Sequence, residues 1–220
     1  MSKDPKITLY TYWRSSASYR VRMALNLKGL EYQQRPVHLV RDGGEQHADE
    51  YARLNPQQQV PVLVHGERVL TQSLAILEYL EETFPDTALL PAEPPGRARV
   101  RALAHVVACD IHPLNNLRVL NYLVGELGAG EPVKLAWYHH WTRNGMDALE
   151  KLLAASEETG RCCHGDEPTL ADCCLLPQLY NARRFGVDES AWPEIRRIAE
   201  HLETIPAIRR AAPENQPDAE

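Results

Sequence analysis

Arg14-Ser15-Ser16-Ala17-Ser18-Tyr19-Arg20-Val21-Arg22-Met23-Ala24-Leu25 is the stretch on which the reading of this chain turns. Just before it, Ile7-Thr8-Leu9-Tyr10-Thr11-Tyr12 alternates β-branched and aromatic residues in the manner of a short strand. Just after, Val21, Ala24, Leu25 and the stop at Gly29 mark a helix. Ser15, Ser16 and Ser18 therefore stand at a strand-to-helix junction. Backbone N–H groups and the positive end of the helix dipole converge there, which favours an anion, a thiolate included. The plainer reading is that Ser16 or Ser18 is only an N-cap. Ala17 occupies the place where a thiol would serve nucleophilic chemistry, and residues 1–108 contain no cysteine. Disulfide exchange needs a thiolate at such a helix end, so any sulfur acting here must come from a ligand.

Outward from this junction the first half alternates strand and helix. A strand is expected near Tyr32 to Val40 and a short helix around Gln46 to Arg53. Val62-Leu63-Val64 and Val69-Leu70 flank a His65-Gly66 turn, and a helix starts at Ser73. That order predicts a small mixed sheet covered by helices. Pro85, Pro91, Pro94 and Pro95 interrupt every periodic pattern between Phe84 and Gly96, so this segment is expected to be a linker. Beyond it, Val100, Leu103, Ala104, Val107, Ile111 and Leu114 recur at helical spacing, as do Trp137, Trp141, Leu149 and Leu152, which predicts a helical bundle. Thr169 and Asp172 have the spacing of a capping box, while Pro113 and Pro177 should kink or interrupt their helices. The resulting division is a domain over residues 5–88 and a second over residues 93–220.

Composition narrows the partners. The chain has 220 residues and a formal net charge of -6, with its basic residues scattered among acidic ones rather than gathered in the stripe that nucleic acid requires. Nucleic acid and membrane are not expected partners: no run reaches the roughly 18 to 20 apolar residues of a bilayer span. The polar Met-Ser-Lys-Asp-Pro start lacks a leader's apolar region, so a cytoplasmic address is expected. The five cysteines (Cys109, Cys162, Cys163, Cys173, Cys174) lack C-x-x-C spacing and read as reduced thiols, with Cys173 and Cys174 buried in a helix and Cys162-Cys163 open to incidental oxidation in a loop. His38, His105, His139 and His140 form no ligand pattern with nearby carboxylates, and no metal is expected.

Two further motifs carry chemistry. In Asn55-Pro56-Gln57-Gln58-Gln59-Val60-Pro61-Val62, a proline immediately precedes a strand, making Val60-Pro61 a candidate cis peptide. Such a loop exposes the backbone of Val60 for pairing with an extended peptide. Gln72-Ser73 opens the next helix, where Ser73 is expected to cap it and first-turn N–H groups are available to a carboxylate.

The Arg-Ser-Ser-x-Ser-Tyr-Arg-Val-Arg segment, Asn-Pro-x-x-Gln-Val-Pro, Gln-Ser-Leu-Ala-Ile-Leu-Glu-Tyr-Leu-Glu-Glu, Asp-Ile-His-Pro-Leu-Asn-Asn-Leu and Gly-Asp-x-Pro-Thr-Leu-Ala-Asp together resemble the zeta class of glutathione transferases, and more narrowly its bacterial maleylacetoacetate and maleylpyruvate isomerases. The resemblance extends from Ile7 to the tail Ala212–Asp218. It implies a thioredoxin-like α/β N-terminal domain, an all-α C-terminal helical bundle, a homodimer and glutathione as cofactor. By motif, Ser15, Ser16, Ala17, Ser18, Tyr19 and Arg20 fall in the thiol-binding segment, with Ser15 the hydroxyl for the sulfur. Gln46, Val60, Gln72 and Ser73 match positions for the rest of the tripeptide, and His112, Asn116, Leu117 and Arg118 match the segment approaching from the helical domain. Many members carry cysteine where this chain has Ala17.

Arg14, Arg118 and Arg184 are the candidate catalytic arginines beside Ser15, because a guanidinium stays protonated and grips a carboxylate with two parallel hydrogen bonds. The choice of Arg184 over Arg183 rests on resemblance alone. The implied activity is glutathione-dependent cis–trans isomerisation of maleylacetoacetate, a small dicarboxylate, through reversible thiolate addition. Maleylpyruvate isomerisation, and glutathione conjugation or dehalogenation of small acids, are the alternatives.

Overall fold

The computed structural model describes residues 6–220. The polar start at residues 1–5, including the first residue of the expected N-terminal domain, lies outside the described residues. They group into two compact units, one formed by the chain up to Ala88 together with Ile205–Glu220, the other by Leu89–Thr204.

The first unit is built on a four-stranded sheet. The chain runs β1 (Ile7–Thr11), α1 (Ser16–Leu27), β2 (Tyr32–Pro36), α2 (Asp49–Leu54), β3 (Val62–His65), β4 (Arg68–Thr71) and α3 (Ser73–Thr83). Strand order is β2-β1-β3-β4, with β1 parallel to β2 and antiparallel to β3. The β3–β4 hairpin turns at Gly66, whose φ of +63° is costly for residues with a side chain. Leu9, Val21, Leu25, Leu63, Ile76 and Leu77 are buried between sheet and helices. The second strand ends at Pro36 instead of reaching Val40, and Val37 then returns its N–H to Thr11 O at 2.8 Å. The helix expected over Gln46–Arg53 is split: a 3-10 turn at Glu45–His47 is separated from α2 by Ala48, which is extended.

The tail departs from the sequence-based division, which kept it with the helical domain. Helix α9 (Pro206–Ala211) packs on α1. Arg22, fully buried, explains the association: Nε donates to Ala211 O at 3.0 Å, Nη1 to Thr11 Oγ1 at 3.0 Å and Nη2 to Trp13 O at 3.0 Å. A buried guanidinium must spend its N–H donors on fixed acceptors, so one side chain ties strand, loop and tail together. Trp13 N–H also donates to Asp218 Oδ2 at 3.0 Å, and Asn26 Nδ2 to Ala207 O at 3.0 Å.

The second unit is helical. It contains α4 (Pro94–His105), a π-helical continuation over Val106–Ile111, a 3-10 turn at His112–Asn115, α5 (Leu117–Gly125), α6 (Glu131–Ala154), α7 (Leu170–Arg184) and α8 (Pro193–Thr204). Pro94 and Pro95, assigned to a linker by sequence, form the first turn of α4, where a missing N–H costs nothing. Pro113 lies in the 3-10 turn at which the helical run is interrupted, as expected, whereas α7 continues through Pro177 as one element. The Thr169–Asp172 capping box is present. Val100, Leu103, Val107, Met146, Leu149 and Leu176 are buried in the core, but Leu152 is half exposed while Leu153 points inward. A side chain at Gly145 would overlap Ile111, so glycine lets α6 approach the π-helical segment closely. Cys173 and Cys174 are buried in α7. Cys162 and Cys163 are buried too, and burial raises both thiols, which disfavours the thiolate that oxidation requires. Among the described residues no helix is long and apolar enough to cross a membrane, and no group of three or more His, Cys, Asp or Glu side chains is placed to hold a metal ion.

Candidate active site

The first unit assembles its candidates around two helix starts. Ser15, not Ser16 or Ser18, is the N-cap of α1: φ is -69°, ψ is 117°, and Oγ accepts the Ser18 N–H at 3.2 Å. Accepting that bond leaves the hydroxyl proton of Ser15 available to a second acceptor. Ser15 and Ala17 are half-buried, while Ser16, Ser18, Tyr19 and Arg20 are buried. Ser18 Oγ has no hydrogen-bond partner. Arg14 is exposed, its guanidinium 4.1 Å from the centre of the Trp13 ring, a stacking that fixes its direction.

At the second helix start, Ser73 does not cap as expected. Gln72 takes the N-cap position with φ +66° and makes no side-chain cap, and Ser73 is the first helical residue. Its hydroxyl instead accepts from Arg20 Nη1 at 3.2 Å, so α1 and α3 are joined by buried side chains. A non-glycine residue held at positive φ is strained, and such positions gather at ligand sites. Gln58 is a second one, at φ +53°. The Val60-Pro61 peptide is cis, and Val60 is buried.

Gln57, Gln58 and His47, to which the sequence reading gave no individual role, connect these loops to Gln72 and Gln46. Gln72 Nε2 donates to Gln57 Oε1 at 2.7 Å. Gln46 Nε2 lies 3.0 Å from His47 Nε2, and His47 Nδ1 lies 2.6 Å from Gln58 Oε1. Gln46 is buried, with Oε1 unpartnered. The Gln57-Gln58-Gln59 run before Val60 was the available signal, since three consecutive amide side chains do not suit an apolar core.

In the second unit, the 3-10 turn at His112–Asn115 leads into Asn116, the N-cap of α5, whose Oδ1 accepts Arg118 N–H at 3.1 Å. Asn116 Nδ2 stands 3.4 Å from His112 Nε2. Leu117 and Arg118 are exposed. Arg183 is occupied by Glu189 at 2.8 Å and Glu203 at 2.7 Å. Arg184 is exposed, bonded from Nη1 to Asn181 Oδ1 at 3.2 Å and 5.0 Å above the Phe185 ring. Of the two neighbours, Arg184 is the one not held by carboxylates in an ion pair. A cleft of about 520 Å³ in the first unit, lined by Lys6, Tyr32, His65 and Phe84 among others, contains none of the predicted residues.

Comparison with known proteins decides the family. Residues 5–82 match the family model described as the N-terminal domain of glutathione S-transferase. A probable maleylacetoacetate isomerase of Vibrio cholerae is 52% identical over 213 residues, 97% of this chain and 98% of that protein. The chain belongs to the zeta class of glutathione transferases. A holo structure of a maleylpyruvate isomerase, a bacterial zeta-class member, matches with a TM-score of 0.94 and 51% identity, covering 97% of this chain and 100% of that one. A maleylacetoacetate isomerase from Methylobacterium extorquens, determined with malonate and glutathione bound, matches with a TM-score of 0.92 and 44% identity over 97% of this chain and 99% of that one. The mixed sheet and helical second unit are accordingly those of the glutathione transferase architecture, with a thioredoxin-like N-terminal domain.

Proposed function

We propose that this protein is a glutathione-dependent cis–trans isomerase that converts maleylacetoacetate to fumarylacetoacetate. The observation that carries the reading is the Ser15 hydroxyl at the N-terminus of α1, with Ala17 beside it offering no competing thiol. These residues suit a thiol-bearing tripeptide. The start of α1 favours a thiolate, the buried Arg20–Ser73 pair and the N-terminus of α3 suit a carboxylate, and the unpartnered Gln46 amide oxygen suits an N–H donor. In this reading the first unit is the glutathione-binding domain and the helical unit the substrate-binding domain.

When bound, glutathione supplies the thiol whose reversible addition to the substrate's double bond frees that bond to rotate. Ser15 donates its hydroxyl proton to the sulfur and, with the helix dipole, lowers the thiol pKa from the free value of about 8.5. Arg118 and Arg184 hold the substrate carboxylates, and Arg14 is available to the charge that develops on the ketone oxygen. A homodimer in the cytoplasm, acting on a small dicarboxylate without nucleic acid or membrane, completes the proposal. The match to the maleylpyruvate isomerase structure supports maleylpyruvate as the second candidate substrate.

The test is isomerisation of both substrates with and without glutathione, with glutathione assayed before and after. Glutathione-dependent turnover at constant glutathione concentration is expected. Equal rates in its absence would refute the mechanism, and stoichiometric depletion would establish conjugation instead. The ratio of kcat/KM on the two substrates assigns the physiological one.

A further inference from the structure

Two separate stretches of the helical unit, the turn carrying His112 to Arg118 and the end of α7 carrying Arg184, are fastened to the same few residues of α6. On one side, Trp137 Nε1 donates to Leu114 O at 2.8 Å, and Asn115 Nδ2 donates to Thr142 Oγ1 at 2.9 Å with both side chains buried. On the other, His139 Nε2 lies 2.8 Å from Phe185 O, and the Tyr138 ring stacks on Phe185 at 4.0 Å and 20°. The Arg184 guanidinium also lies over the Phe185 ring, 5.0 Å from its centre. Residues 137 to 142 cover roughly 7.5 Å of helix axis, a rigid rod compared with the loops it holds. Gly145, two turns from Tyr138, brings the same helix against Ile111, the residue preceding the turn.

Each of these bonds ends on backbone or on a buried side chain, so it fixes where the arginine's chain segment lies without engaging the guanidinium of Arg118 or Arg184. Long, exposed arginines alone would accept diacids of many lengths, because their side chains reach and swing. A defined span between their anchoring segments restricts that choice, since a ligand outside it must pay to strain one grip.

We propose that Trp137–Thr142 of α6 is a splint that sets the span between Arg118 and Arg184 and thereby the length of dicarboxylate the protein accepts, with Tyr138, His139 and Thr142 as positioning residues. This rests on the reading of the two arginines as the carboxylate grips. It names a determinant for the difference between maleylacetoacetate and maleylpyruvate, which share the reacting alkene and differ in the distance to one carboxylate.

The experiment uses the full-length protein saturated with glutathione and measures binding of malonate, succinate and glutarate, together with kcat/KM on both isomerase substrates. The unsubstituted protein should prefer one diacid length. Thr142→Val, which keeps the shape and deletes the bond to Asn115, should weaken the preferred diacid by about tenfold, the scale of one lost buried hydrogen bond, and shift the kcat/KM ratio of the two substrates. Thr142→Ser should restore both, and glutathione affinity should not change. If Thr142→Val does not fold, His139→Leu, which frees Phe185, is read the same way. An unchanged length preference and substrate ratio in the variant, or no preference in the unsubstituted protein, would overturn the splint. A preference that shifts in a protein with no isomerase turnover would overturn the reaction and leave the splint standing, whereas normal turnover with a fixed preference would do the reverse.

Discussion

Arg20 Nη1 reaches Ser73 Oγ across 3.2 Å, and through that contact the first helix of the α/β unit is joined to the start of the third. Both side chains are buried, so the hydroxyl of Ser73 accepts a charged donor instead of capping its own helix. Ser73→Ala should cost about 1 to 2 kcal/mol of stability by leaving that donor short of an acceptor. It should also raise the KM for glutathione roughly tenfold, with the substrate KM unchanged. Steady-state kinetics varying each ligand in turn checks this, and an unaltered glutathione KM would confine Ser73 to a structural role.

Asp172 is fully buried and receives three hydrogen bonds, from Cys163 N–H at 2.8 Å, Thr169 N–H at 2.8 Å and the Thr169 hydroxyl at 2.7 Å. Burial raises its pKa and the donors oppose it, with burial the larger effect. A carboxyl whose folded pKa lies above its unfolded value of about 3.9 binds its proton more tightly when folded. Its favourable contribution is therefore complete below that unfolded value and is lost as pH rises through the folded pKa. Asp172→Asn should lower stability by about 2 kcal/mol or more, because an amide N–H would face donors. Denaturant titrations should show the gap between the two proteins narrowing as pH rises from about 4 toward the folded pKa.

Local signals made much of this legible. The hydroxyls before Val21, the proline after Val60 and the Thr169–Asp172 spacing each act within a few residues: the helix start is present with its cap at Ser15 and not at Ser16 or Ser18, and the cis peptide and the capping box are present. The rest depends on partners far along the chain. Trp13 meets Asp218 across 205 positions, so no window around either residue announces that the tail returns to the first unit. Pro94 and Pro95 punctuate a linker and start a helix equally well, and only the following residues' packing decides. Spacing placed Leu152 inside because three- and four-residue steps both continue a helical stripe, and the packing selected Leu149 and Leu153. That Gln72 and not Ser73 takes the N-cap position of α3 was not legible, because positive φ is no habit of glutamine.

Arg183 and Arg184 separate by their surroundings. Arg183 spends its donors on Glu189 and Glu203, whereas Arg184 has one amide oxygen and an aromatic face. Arg183→Ala should cost about 0.2 to 1 kcal/mol per lost surface pair and leave kinetics intact. Arg184→Ala should barely change stability, yet lower kcat/KM roughly tenfold to a hundredfold, mostly through KM, as expected for losing a charge-assisted contact of about 1.5 to 3 kcal/mol. Parallel melting curves and substrate titrations check both, and reversed phenotypes would exchange the roles.

Ser15 combines two tasks that one substitution separates. As N-cap it accepts the Ser18 N–H, and as a hydroxyl it still has a proton to give. Ser15→Ala should cost about 1 kcal/mol of stability through the lost cap. It also removes a donor to the thiolate while leaving the helix dipole in place, which destabilises the charged form and moves the bound thiol's pKa upward. The pH–rate profile should shift the same way, with much of the lost activity returning in alkali as the thiolate fraction recovers. Ser15→Thr, which keeps both the cap and the proton, should hold the pKa near its original value. Ultraviolet titration of the glutathione-bound protein reads that pKa directly. If Ser15→Ala melts earlier with the thiol pKa unmoved, the hydroxyl is a cap alone, and the backbone N–H groups at the start of α1 hold the sulfur.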